Sequence, residues 1–184
     1  MGIFNLLKKQ PPLSTPALSK SQAEAAPAAN KPGTTRIERE HFILHAPFEW
    51  IHIPGHDPMQ FEFRNQSLPD QLIVSVFLAR EPFADVAARR AMAKQLADKR
   101  IDAIRQLSNG KAVLSECSPS DGSTQTEIRC VGVDEPQRVR MAFVVRVTRT
   151  KVVTVSMTRY ALDEPGHQFD VYSGLIFDFL QIKE

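Results

Sequence analysis

Long hydrophobic runs are missing from this sequence. No stretch approaches the roughly 18 apolar residues that a membrane-crossing helix needs, so a helical span is excluded. "MGIFNLLKKQ" does not read as a secretory signal either, because its apolar part is short and Lys8 and Lys9 follow it instead of leading it. Gly2 stands where a myristoylation site would start, but Leu6 occupies the position that calls for Ser or Thr. Cysteine is scarce: Cys117 and Cys130 are too few for the disulfide framework of a small secreted domain. These absences together point to a cytoplasmic protein with reduced thiols.

Charge of one sign is lacking as well. The net charge is +2, and Lys8, Lys9, Lys20 and Lys31 against Glu24 put +3 of it in the first 35 residues. The rest of the chain is then close to neutral, without the basic footprint of a nucleic-acid binder. Arginines do gather over 89–105 and 138–159, but Asp85, Asp98, Asp102, Asp134 and Glu135 dilute them and no aromatics interleave as a base-stacking platform requires. Catalytic signatures are absent too. There is no G-x-S-x-G, H-E-x-x-H, C-x-x-C, P-loop or G-x-G-x-x-G. No catalytic residue, cofactor or metal is therefore nominated, and no enzyme is expected.

What is present falls into two parts. Residues 1–35 read as a tail: Pro11, Pro12, Pro16, Pro27 and Pro32 interrupt Ala, Ser, Lys and Gln, and such a segment buries too little apolar surface to offset its ordering entropy. Its start differs, since Ile3, Phe4, Leu6 and Leu7 followed by Lys8 and Lys9 fit a short amphipathic element that docks on a membrane surface or a partner. Residues 36–184 read as one domain. Strands are predicted over 39–46, 48–53, 60–65 and 71–79, the last a near-continuous apolar run of the kind covered on both faces. A helix follows from a cap at Asp85 to Leu107, with Ala93, Leu96, Ala97, Ile101 and Ile104 on one stripe and Asn109-Gly110 as its stop. Arg100 falls inside that stripe, either snorkelling out or buried in an ion pair. Strands resume over 111–118, 124–133, 137–149 and 151–160, and a second helix spans 168–181. Hairpin-linked strands with two covering helices make an α+β fold: a mainly antiparallel sheet of about seven or eight strands.

The stretch "HFILHAPFEWIHIPG" raises the question of a metal site. His41 and His45 are four apart in a predicted strand, about 13 Å between Cα atoms, too far to share an ion. His52 and His56 flank a turn beside Asp57, but zinc would need further ligands. With a turn centred on Asp121-Gly122, Cys117 and Cys130 share a face but are offset; a disulfide would demand a longer loop, and buried thiols are expected. In the last hairpin Val139, Met141, Phe143, Val145 and Val147 form the core set. Val144, Arg146, Thr154, Ser156 and Thr158 alternate with it and make a candidate partner-binding face, unless the second helix covers them.

"FILHAPFEWIHIPGHDPMQFEFRN", "LIVSVFLAREPFADVAARRAMAKQL", "RCVGVDEPQRVRMAFVVRVTRTKVVTVSMTRY" and "YSGLIFDFLQIK" together resemble the PsbP-like and DcrB-like (Mog-type) superfamily over about residues 39–183. The resemblance implies the same α+β sandwich and roles that are mostly non-catalytic, the superfamily including Ran-binding proteins, envelope lipoproteins and the Eag-type chaperones of type VI secretion effectors. It supplies no catalytic residues. The expected function is a protein-binding domain of the chaperone, adaptor or immunity kind, linked to bacterial secretion. The alternatives are a peripheral membrane protein anchored by residues 3–9, or a small-molecule-binding domain.

Overall fold

The computed structural model describes residues 34–47, 50–115, 117–160 and 166–183. Along the chain these form β1 (Thr34–Glu38), β2 (Phe42–Pro47), β3 (Trp50–Ile53), β4 (Gln60–Asn65), β5 (Asp70–Leu78), α1 (Val86–Leu107), β6 (Val113–Leu114), β7 (Pro119–Asp121), β8 (Thr126–Asp134), β9 (Val139–Val147), β10 (Lys151–Arg159), α2 (Gly166–Asp178) and β11 (Gln181–Ile182). All pairings are antiparallel. The large sheet has eight strands in the order β3-β4-β5-β10-β9-β8-β6, with β7 also on β8. This is the α+β architecture expected from the patterning. A second, three-stranded sheet, β1-β2-β11, was not anticipated. Its outer strands carry almost no apolar signal: β1 buries only Ile37, and β11 is two residues long.

The large sheet is packed on both faces, but unequally. On one face lie α2 and the small sheet. Phe42, Leu44 and Ala46 of β2 and Phe169, Ile176 and Phe177 of α2 close over Phe63, Leu72, Val74, Val144, Val153, Val155 and Met157. Burying a side chain of this size contributes about 1.5–3 kcal/mol. On the other face lies α1, whose Ala93 and Ala97 sit against Ile128, Cys130, Phe143, Val145, Val147 and Val152. The small side chains let the helix approach closely. Asp85 caps α1 by accepting the Ala88 N–H at 2.8 Å. Gly110, at φ 77°, ends it by donating to the Arg105 carbonyl at 2.7 Å. Helix α2 has no basic residue in its last turn. Arg146, buried in β9, fills that role by donating to the carbonyls of Phe177 and Leu180 while pairing with Glu127.

Asp70 and Arg159 form a fully buried ion pair at the end of the β5–β10 ladder. The contact is bidentate, Nε to Oδ1 at 2.6 Å and Nη2 to Oδ2 at 2.8 Å, and the guanidinium lies 5.5 Å from the centre of the Phe169 ring. Removing one partner strands the other charge away from water. Asp70→Asn is expected to cost about 3–5 kcal/mol, read as a lower urea midpoint at unchanged m value. Replacing both residues by leucine should recover most of that loss. A single-substitution cost below about 1 kcal/mol would contradict the pairing.

Candidate functional site

One helix is about 10–12 Å wide, and neighbouring strands are about 4.8 Å apart, so a single helix shields two or three strands of a wide sheet. Helix α1 lies over β7, β8 and β9. The far half of that sheet face is left partly bare. Burial along the strands records the difference. In β9 every residue from Ala142 to Val147 is buried, whereas β5 alternates buried and half-buried before ending in exposed Phe77 and Leu78.

The bare half is regular. Two rungs of side chains run across four strands: Ser156, Ile73, Glu62 and Ile53, then Thr158, Gln71, Arg64 and Ile51. A third rung joins Thr154, Ser75 and Gln60, and Val152 stands beside Phe77 at the end nearest α1's start. Apolar groups reach solvent here, Phe77 at 48% and Ile51 at 41% exposure. A polar chain crosses the opposite end. Tyr160 donates to Gln71 Oε1 at 2.9 Å, Gln71 donates to Glu62 at 2.9 Å, and Arg64 donates to the same Glu62 oxygen at 3.2 Å. Burial and the Glu62 carboxylate push the Tyr160 phenol upward, with Arg64 pulling the other way. Arg100 lies within the core-facing stripe of α1, yet reaches solvent and has no acidic partner among the described residues. The atoms crowded around it desolvate the guanidinium and pull its pKa down.

The face expected from the sequence is divided by this geometry. Thr154 and Thr158 are half-exposed on the bare half, with Ser156 between them at 8% exposure. Val144 and Arg146 lie on the opposite face, at 0% and 4%, beneath α2 and the small sheet. The two groups separate because the β9–β10 turn sets Thr154 against Val145 and Ser156 against Phe143, so even-numbered residues of one strand share a face with odd-numbered residues of the other. Ile3, Phe4, Leu6, Leu7, Lys8 and Lys9 lie outside the described residues. Sequence reasoning missed Ile51, Ile73 and Phe77. The apolar run of β5 read as a strand covered on both faces, but only Leu72, Val74 and Val76 are buried. That surplus of apolar side chains was the available signal.

The other groups singled out from sequence have structural roles. Arg90 pairs with Asp121, and Arg89 donates to the Gly122 and Ser123 carbonyls at 3.5 and 3.3 Å. The hairpin arginines 146 and 159 are held by Glu127 and Asp70. Among the described residues no three His, Cys, Asp or Glu side chains come together as a metal set. His52 stands against Phe63, ring centres 5.3 Å apart, and Phe61, at 6.4 Å. The cysteines need a correction: they are bonded, with Cα atoms 5.1 Å apart. The turn is longer than expected, Asp121 pairing Thr126 with residues 122–125 as the loop, and this brings the two sulfurs opposite each other.

No family profile and no curated protein matches the chain. Solved structures do. The chain is similar to cyanobacterial PsbP (CyanoP) from Synechocystis sp. PCC 6803, with a TM-score of 0.60 at 14% identity over 87% of this chain and 98% of that one. Similarity also extends to the Saccharomyces cerevisiae Ran-binding protein Mog1p, with a TM-score of 0.49 at 12% identity over 81% of this chain and 95% of that one. The likeness to CyanoP establishes a shared PsbP-like fold.

Burial, then the charge of Arg39, holds the His52 imidazole below its ordinary range. Above the unfolded-state value near 6.5, the proton count of His52 is the same in both states. As pH falls through that value the unfolded chain takes the proton first, so stability declines until the folded pKa is passed. NMR titration of His52 should give a midpoint below 6.5, and His52→Gln should flatten the acid-side loss of stability. A midpoint at or above 6.5 would refute the assignment.

Proposed function

We propose that this is a non-catalytic protein-binding domain, of the adaptor or chaperone kind, that receives an extended apolar segment of a partner protein on the bare half of its large sheet. The observation that carries the reading is the set of cross-strand rungs on β3, β4, β5 and β10, which expose Ile51 and Phe77 beside backbone-spaced serines, threonines and glutamines. Alternate side chains of an extended segment match such rungs, and strand spacing gives them a common repeat. A cytoplasmic setting belongs to the same proposal. A role in bacterial secretion of the Eag-chaperone kind extends it on the strength of the sequence resemblance.

The test is a photo-crosslinking residue placed at Ser75 or Thr154 on the bare face, with exposed Val171 on α2 as the control position. Crosslinks in the native host should converge on one protein from the bare-face sites and be absent from the control. Phe77→Asp and Ile51→Asp should each weaken retention of that protein by roughly tenfold or more while leaving thermal stability unchanged. Equal capture from both faces, or retention indifferent to the two substitutions, would overturn the reading.

A further inference from the structure

The disulfide sits at a break in strand pairing. β6 meets β8 with Leu114 opposite Gly132, but β7 meets the same strand with Pro119 opposite Ile128. Between these two pairings the register shifts by one residue in favour of the outer strand, which is the signature of a bulge. The extra residue puts Cys117 in register with Cys130. The two sulfurs have different surroundings. Cys130 is 1% exposed within the cluster under α1, whereas Cys117 is half-buried at the edge. Beyond the bond, β7 is three residues long and wholly exposed. It is also held by its pairing to β8, by Arg90 on Asp121, by Arg89 on the Gly122 and Ser123 carbonyls, and by Thr126 on Asp121 at 2.9 Å. All of these lead to the first turns of α1 or to β8.

We propose that Cys117–Cys130 is a reducible clasp, a substrate for dithiol reductants, that fastens the 117–125 hairpin to β8 and thereby to the first turns of α1. A thiolate of the reductant attacks Cys117 Sγ, the more accessible sulfur, forming a mixed disulfide as the S–S bond breaks. Cys130 leaves as a thiolate and takes a proton. The second thiol of the reductant then attacks the mixed disulfide, releasing Cys117 as a thiol and the reductant as its own disulfide. Two electrons and two protons pass to the protein. Exchange with a low-molecular-weight disulfide reverses the step. This step rests on the cytoplasmic setting proposed above, where a disulfide is characteristically transient and redox-sensing, and the asymmetric exposure of the two sulfurs fits that behaviour. The rest of the fold does not depend on the bond, because β5, β10 and β9 pair over their full lengths without it.

The experiment uses the full chain after equilibration with oxidised and reduced glutathione or with dithiothreitol. Thiols are counted by alkylation and intact mass, and hydrogen exchange is followed by segment. The oxidised protein should take no label and the reduced protein two. Reduction should speed exchange across 117–125 by roughly tenfold or more while β9 and β10 stay protected. A Cys117→Ser/Cys130→Ser variant should show the faster exchange in either buffer. Free thiols after oxidative equilibration, identical exchange in the two states, or loss of protection across the whole sheet would each overturn the clasp.

Discussion

Asp70 and Arg159 meet out of reach of water, and the strand register they close decides which side chains of β5 point into the core. A shift of one residue between β5 and β10 would separate the charges and leave the buried Arg159 guanidinium without Asp70. It would also turn Leu72, Val74 and Val76 toward solvent and bring Gln71, Ile73 and Ser75 inside. The hydrophobic pattern alone penalises that slip weakly, since both faces of β5 carry apolar residues. The ion pair penalises it strongly. Buried pairs often add little net stability compared with apolar replacements, so its value in this sheet lies in fixing one register.

The division of labour between the helices follows from width. Helix α2 works with a three-stranded sheet, and together they span the large sheet from β4 to β9. Helix α1 works alone and reaches only one end of the opposite face. The half-bare surface is thus a consequence of supplying one covering element where two would fit. Its serines and threonines are what an antiparallel strand tolerates when half-wetted, and Ile51, Ile73 and Phe77 are what it would not carry for solubility alone.

Much of this architecture is legible in the residues. Asp85 and Asn109-Gly110 bracket α1 because capping and positive φ are local requirements that few residues meet. β4, β5, β9 and β10 announce themselves by length and β-branched content. What could not be read was registration. The faces of Val144 and Thr154 depend on where the β9–β10 turn falls, and one residue of difference exchanges them. The cysteine pairing depends on a loop over 122–125 and on a bulge, neither of which has a residue signature of its own. β1 and β11 were hidden because they are held by pairing to β2 and not by an apolar face.

The partners in the Asp70–Arg159 contact are 89 residues apart in the chain. β5 therefore waits for β10 until 89 further residues have left the ribosome, while β3, β4 and β5 can form a meander early. For that interval β5 is an unpaired edge with apolar side chains on both faces, a template for intermolecular strand addition. Closing so long a loop also makes assembly of the sheet centre slow relative to α1, which needs only local contacts. Synthesis conditions that outpace this late step should feed aggregation through β5, even though both edges of the strand are paired in the finished protein.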